Sequence, residues 1–141
     1  MKPRFVLDAW AVLALLQGEE PAASHVKELV EEARQEVVDL FISLIDLGEV
    51  TTIVGKAKGE DEAWKTLDQI RHLPLSVLPA SEEAVFAAVG FKIEHPISYA
   101  DAFAAAAADD LGATLVTGDP ELTRLGARIR IEKLGRMARP D

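Results

Sequence analysis

The feature that most constrains the fold of this chain is a regular alternation of short apolar runs with longer segments of helical spacing. The apolar runs cover residues 5–7, 37–42, 75–78, 114–116 and 128–131. The segments between them, at about residues 10–16, 22–35, 43–57, 60–72, 81–92 and 98–111, repeat their apolar positions with helical periodicity. Apolar strands that alternate with helices are typical of a parallel sheet covered on both faces. The sequence therefore predicts an α/β fold, a three-layer α/β/α sandwich with a central parallel sheet.

Length and composition favour a single domain over residues 1–141. Of these residues 49% are hydrophobic and 28% are charged, and the chain has no internal repeat or low-complexity linker. Cysteine is absent, which excludes disulfides, thiolate nucleophiles and thiolate metal sites and fits a reducing cytoplasm. The apolar stretch of residues 5–16 is interrupted by Asp8 and is too short for a membrane span. We therefore expect a cytoplasmic protein without a membrane anchor.

The overall charge restricts how such a protein can bind nucleic acid. The formal net charge is -9 at pH 7, so a broad basic footprint for phosphates is excluded. Contact with a nucleic acid would need a cation to mediate it.

Two aspartates directly follow predicted strands. Asp8 follows residues 5–7, and Asp119 follows residues 115–118. Ligands of parallel α/β sheets bind at the carboxyl ends of the strands, so both side chains are candidates for a functional site. Each also has an alternative role as a helix N-cap, because a helix is predicted after Asp8 and Pro120 suits a first helical position after Asp119.

Two further carboxylates lie on predicted helices among apolar neighbours. Glu49 has an isoleucine four residues away on either side. Asp101 heads an apolar stripe, although Ser98 three residues earlier offers it the alternative role of a capping box. The stripe consists of Ile97, Ala104, Ala105 and Ala108. A carboxylate that is partly desolvated in such a place needs a positive partner, and a metal ion is a natural one.

The residue types select the metal. The three histidines, His25, His72 and His95, lack the paired spacing of zinc sites. Oxygen ligands alone favour a hard cation, Mg²⁺ or Mn²⁺. The chain also lacks a Walker-type phosphate loop and a GxSxG nucleophile motif.

Four motifs that carry these acids resemble, in order and spacing, those of the PIN-domain family, in particular the VapC-like toxins of type II toxin-antitoxin pairs. They are Val6-Leu7-Asp8, Leu47-Gly48-Glu49-Val50, Ser98-Tyr99-Ala100-Asp101-Ala102-Phe103 and Thr117-Gly118-Asp119. The resemblance covers nearly the whole chain. It implies a PIN-like fold, an Mg²⁺- or Mn²⁺-dependent ribonuclease, a homodimer, and inhibition by a cognate antitoxin protein.

The resemblance also implies roles for individual residues. Asp8 and Asp101 would be the principal metal ligands, and Glu49 and Asp119 would complete the catalytic pocket directly or through water. Thr117 would orient Asp119.

Two positions depart from the common family pattern. Trp10 stands where a small hydroxyl or amide residue is usual, so a supporting hydrogen bond is expected to be missing. Asp46 stands one turn before Glu49, where asparagine is frequent, and it either tunes the site or is merely solvated. Asp109 and Asp110, near the end of their helix, are expected to form a solvated face.

A basic C-terminal stretch is the candidate for RNA contact beside the pocket. Within it Arg128 and Arg130 are the candidate contacts, and the alternative is a charged edge strand that discourages pairing between sheets. The stretch carries Arg124, Arg128, Arg130, Lys133, Arg136 and Arg139.

Two other function classes remain open. The first is a catalytically silent module of the same fold that acts through a protein partner, and divalent-cation binding would distinguish it from a nuclease. The second is a phosphoryl-accepting receiver-like domain, which the sequence disfavours because the expected lysine and paired early acids are missing. Trp64, in a charge-dense segment from Lys56 to Lys65, is the candidate anchor for a partner.

Overall fold

A computed structural model describes residues 1–135 of the chain. Arg136 and Arg139 of the basic stretch lie outside these residues. Within them the elements are β1 (Arg4–Leu7), α1 (Ala9–Gln17), α2 (Ala22–Arg34), β2 (Asp39–Ser43), α3 (Leu44–Lys58), α4 (Glu60–Arg71), β3 (Ser76–Leu78), α5 (Glu82–Glu94), α6 (Tyr99–Leu111), β4 (Thr114–Thr117), α7 (Pro120–Thr123) and β5 (Ile131–Lys133).

The five strands form one parallel sheet in the order β3-β2-β1-β4-β5. The central strand β1 pairs with β2 on one side and with β4 on the other. Leu7 lies opposite Val116, so Asp8, which follows β1, and Thr117, the last residue of β4, lie side by side. This register places the predicted acids at one edge of the sheet.

Side chains of the central strands alternate between two apolar cores. Leu7 and Val116 face the core that contains α1, α2 and parts of α3 and α4. Val6 and Leu115 face the core that contains α5, α6 and α7. All four are at most 1% exposed, and each fully buried side chain of this size stabilises the fold by roughly 1.5–3 kcal/mol. The helices therefore cover both faces, which confirms the predicted three-layer α/β/α sandwich.

Helix α6 lies close to the sheet because its inner face is built from alanine. The buried members of this face include Ala104, Ala105 and Ala108, as the stripe in the sequence predicts. The N-cap residue of the helix is Ser98, whose hydroxyl accepts a hydrogen bond from the Asp101 amide at 3.1 Å. It ends at Gly112, which adopts a left-handed backbone conformation. Asp101 is thereby fixed in the first turn of a helix held against the sheet.

Two strand boundaries predicted from apolar runs were wrong. Strand β2 begins at Asp39 rather than Val37, because the Val37 amide still bonds to the Glu32 carbonyl at the end of α2. Strand β5 begins at Ile131 rather than Arg128, because Ile129 is instead buried in a turn beyond α7. In both places an apolar residue that the pattern assigned to a strand lies in the turn before it.

Within residues 1–135 the helices are too short or too polar for any of them to cross a lipid bilayer.

Candidate active site at the carboxyl ends of the central strands

Asp8 lies at the centre of the site and combines two roles. Its side chain caps α1, since the Ala11 amide donates to Oδ1 at 2.8 Å. Its Oδ2 accepts a short hydrogen bond from the Thr117 hydroxyl. Although only 1% exposed, the carboxylate is thus held by two donors and cannot rotate freely. The capping alternative and the functional assignment of Asp8 are therefore compatible.

Thr117 links the ends of β1 and β4. Besides donating to Asp8, its hydroxyl oxygen accepts a hydrogen bond from the Asp119 amide at 3.0 Å. Asp119 in turn caps α7 by accepting from the Glu121 amide at 2.9 Å. One hydroxyl therefore fixes the side chain of Asp8 and the backbone of Asp119. The sequence predicted only that Thr117 orients Asp119.

Asp101 and Asp119 face each other across the edge of the sheet. Carboxylate oxygens of Asp101, Asp119 and Glu121 lie within 4.8 Å of one another. Sequence reasoning missed Glu121, which is exposed in the first turn of α7. Its position directly after the Asp119-Pro120 pair, where α7 begins, is the signal that could have identified it.

The pKa values of these groups show that the acids share one electrostatic environment. Burial raises the pKa of Asp8 to about 7, and the charges of Asp101 and Asp119 add to the effect. Burial and then Asp119 raise the pKa of Asp101, to about 6. The pKa of Glu49 is raised by burial and by Asp119. The structure therefore brings Asp8, Glu49, Asp101 and Asp119 together, although Asp8 and Glu49 lie outside the tightest group.

Asp46 is not solvated, so the solvated alternative for this residue was wrong. It is 0% exposed and lies in the first turn of α3, whose N-cap is Ser43. Burial, followed by the charges of Asp8 and Glu49, raises its pKa well above the ordinary value, against an opposing effect of its hydrogen bond to Ser43. The structure thus places a fifth carboxyl beside the four predicted acids.

Trp10 packs over the strand end that leads to Asp119. A Cβ atom at Gly118 would collide with the indole ring of Trp10. Glycine is therefore required at this position because the backbone and the ring approach so closely. The indole ring of Trp10, two residues after Asp8, thus covers the backbone that leads to Asp119.

Arg128 and Arg130 do not join the acids. Both precede the amino end of β5, whereas the acids follow carboxyl ends of strands. Arg128 donates to both carboxylate oxygens of Asp109, at 2.7 and 3.0 Å, and Arg130 donates to the Gly112 carbonyl. Their placement gives no support to an RNA contact beside the pocket, and that assignment remains a prediction.

The donor set fits a hard divalent cation. The charged groups that act on these acids are themselves carboxylates, and hard cations bind carboxylate oxygens. One buried oxygen, Oδ1 of Asp46, has no hydrogen-bond partner within residues 1–135. Acids that repel one another at neutral pH are expected to gain stability when a cation neutralises them. Asp101 and Asp119, whose carboxylate oxygens lie within 4.8 Å of each other and of those of Glu121, could hold such an ion. Asp8 and Glu49 lie close enough to interact with them electrostatically.

Comparison with protein families gives a match to the PIN domain model over residues 5–128. A comparison with curated proteins gave no match.

Solved structures with toxin-antitoxin proteins share the fold. VapBC2 from Rickettsia felis, bound to a DNA fragment from their promoter, matches with a TM-score of 0.71 at 20% identity, over 94% of this chain and 99% of that one. DNA-bound VapBC from Salmonella typhimurium gives 0.70 at 20%, over 93% and 98%. VapC20 from Mycobacterium tuberculosis, described as a sarcin-ricin loop cleaving toxin, gives 0.69 at 17%, over 86% and 95%. At these identities the likeness establishes the shared fold.

Proposed function

The chain belongs to the PIN-domain family, and on this premise we propose that it is an Mg²⁺- or Mn²⁺-dependent ribonuclease that hydrolyses phosphodiester bonds in RNA. The proposal takes residues 1–141 as one nuclease domain that acts in the cytoplasm as a homodimer. The observation that carries it is the convergence of Asp8, Glu49, Asp101 and Asp119 on one edge of the sheet, where burial and mutual repulsion raise the pKa of three of them.

The proposed roles of the residues are those that the resemblance to PIN-domain nucleases implies. Asp8, held by Thr117 and by the Ala11 amide, and Asp101, held in the first turn of α6, bind the cation. Glu49 and Asp119 complete the pocket directly or through water. A divalent cation held by these residues would supply Lewis-acid chemistry, lowering the pKa of a water molecule and stabilising negative charge on the phosphate.

Cleavage of RNA by the purified protein tests this proposal. We expect cleavage in Mg²⁺ or Mn²⁺, its loss in excess chelator, and its return when the cation is restored in excess. The measurement is a gel assay of a labelled structured RNA over time. Equal cleavage with chelator present would contradict the proposal.

A protein partner is the second part of the proposed function, and it rests on the resemblance to toxins of toxin-antitoxin pairs. A groove of about 540 Å³ runs between α3 and α4. Leu44, Leu47 and Trp64 give it apolar walls, and it passes Gly48, the neighbour of Glu49. Leu44 and Trp64 are 40% and 55% exposed. We propose that an apolar helical segment of the cognate antitoxin fills this groove beside the acidic site.

Replacement of Trp64 by alanine is expected to weaken antitoxin binding by at least about tenfold, because a large aromatic side chain in a groove is a typical binding hot spot. Isothermal titration of the purified variant with the antitoxin measures the effect. Val37→Ala is the matched control, since Val37 is 52% exposed but lies in the turn between α2 and β2, away from the groove. Wild-type affinity in Trp64→Ala would exclude this groove as the antitoxin site.

A further inference from the structure

Asp46 has a combination of properties that helix capping does not explain. Its carboxyl is 0% exposed, yet only one of its two oxygens is satisfied within the described chain. Oδ2 accepts from the Ser43 hydroxyl at 2.5 Å, whereas Oδ1 has no partner there. A buried polar oxygen without a hydrogen-bond donor is costly whether or not the carboxyl is ionised, so it calls for an explanation.

The local contacts differ from those of a capping box. In that motif the third residue of the helix accepts a hydrogen bond from the backbone amide of the N-cap residue. Here the Ser43 hydroxyl donates to Asp46 and accepts from the Asp46 amide at 3.0 Å. The serine alone caps α3, and the carboxyl of Asp46 adds nothing to that cap that a neutral amide would not supply.

The surroundings of Asp46 place its carboxyl next to two of the predicted site acids. Asp8 and Glu49 both disfavour its negative charge, so they are its charged neighbours. The Ala9 amide at the start of α1 favours the charge, but it does not complete a hydrogen bond to Oδ1. The carboxyl therefore lies beneath the N-terminus of α1 and adjoins the acidic pocket from its buried side.

We propose that Asp46 is a fifth acid of the divalent-cation site and that its unpartnered Oδ1 strengthens cation binding by Asp8 and Glu49. The inference rests on the proposed nuclease function but concerns a residue outside its four-acid set. Asp46 acts as a positioning residue, since it supplies negative charge and an acceptor oxygen behind the groups that hold the cation.

Calorimetric titration with Mn²⁺ at fixed pH tests the proposal without reference to activity. Asp46→Asn keeps the size of the side chain and an oxygen that accepts from Ser43, so the fold is expected to survive. We expect Mn²⁺ affinity to fall by about tenfold or more and the rise in Tm caused by Mn²⁺ to shrink in parallel. Circular dichroism verifies folding, and Asp46→Ser replaces the first variant if that variant does not fold.

Two controls separate the possible outcomes. Asp39→Asn removes an exposed carboxylate paired with Lys2 at 3.6 Å and should bind Mn²⁺ as the wild type does. Asp101→Asn should lose binding. If Asp101→Asn loses binding while both Asp46 variants retain wild-type affinity, the role of Asp46 is overturned and the proposed function stands. If the wild type itself does not bind Mn²⁺, the proposed function falls, and this inference falls with it.

Discussion

Exchange of Asp101 for asparagine is expected to lower Mn²⁺-dependent RNA cleavage by at least about 10²–10³-fold and to leave the fold intact. The cap of α6 uses the backbone amide of Asp101 rather than its carboxylate, so asparagine retains that hydrogen bond. What the substitution removes is a charge that faces Asp119 and Glu121 with oxygens within 4.8 Å. The effect should therefore appear in the chemistry and in cation binding, without a loss of stability.

The matched control for this substitution lies on the same helix. Asp110 is exposed near the end of α6, so Asp110→Asn changes the net charge equally but leaves the pocket untouched. Single-turnover cleavage rates of the two variants and the wild type give the comparison. Retention of most of the activity in Asp101→Asn, or equal losses in both variants, would remove Asp101 from the catalytic set.

The metal-free protein is expected to become more stable as the pH falls from 8 towards 5, opposite to ordinary acid destabilisation. The cause is Asp8, whose pKa burial raises from its ordinary value of 3.8 to about 7. Between those two pH values the folded state binds more protons than the unfolded state, so stability increases as the pH falls and is lost as the pH rises through 7. The difference corresponds to about 4 kcal/mol, and Asp101, with a pKa of about 6, acts in the same direction.

Chemical denaturation in chelator at several pH values measures this dependence. Saturating Mn²⁺ should flatten it, because the cation replaces the protons that the pocket otherwise needs. Asp8→Asn should reduce the slope, since asparagine does not ionise, whereas the raised pKa values of Asp46 and Asp101 should sustain the rest of it. A metal-free wild type whose stability is constant or declines from pH 7 to pH 5 would show that the buried carboxyl of Asp8 does not dominate the pH dependence.

Part of the site follows from the sequence because strand ends can be located by apolar periodicity. The runs before Asp8 and Asp119 are short and apolar on both faces, so the next residues had to emerge at one edge of a parallel sheet. The alanine stripe likewise predicted a partly buried Asp101. These inferences depend on local patterns and one rule about parallel sheets, and the arrangement of the four acids agrees with them.

Asp46 and Glu121 could not be assigned in the same way. The burial of Asp46 depends on how α1 lies over α3, which is a tertiary contact. The sequence gives only an ambiguous sign, since Ile42 and Val50 lie four residues away on either side of Asp46 and the pattern does not distinguish a buried carboxyl from one at the margin of an apolar face. The position of Glu121 depends on the turn made by Asp119 and Pro120, which brings its carboxylate back towards Asp101.

The start of β5 and the position of Arg128 could not be predicted from the hydrophobic pattern of the sequence. Ile129 continued an apparent apolar strand in the sequence, but it is buried in the core beside α6 and α7. Its burial moves the start of β5 to Ile131 and leaves Arg128 to pair with Asp109 on α6. Tertiary packing determines whether an apolar residue lies in a strand or in a turn, and the hydrophobic pattern of the sequence does not contain that information.

The contact between Trp10 and Gly118 restricts how this sequence can change. Any side chain at position 118 would occupy the space of the indole ring, so glycine there is obligatory only as long as tryptophan is at position 10. A smaller residue at position 10 would release that restriction and admit alanine or serine at 118. The two positions, more than 100 residues apart in the chain, are therefore coupled in one direction: position 10 can change alone, whereas a side chain at position 118 needs a change at position 10.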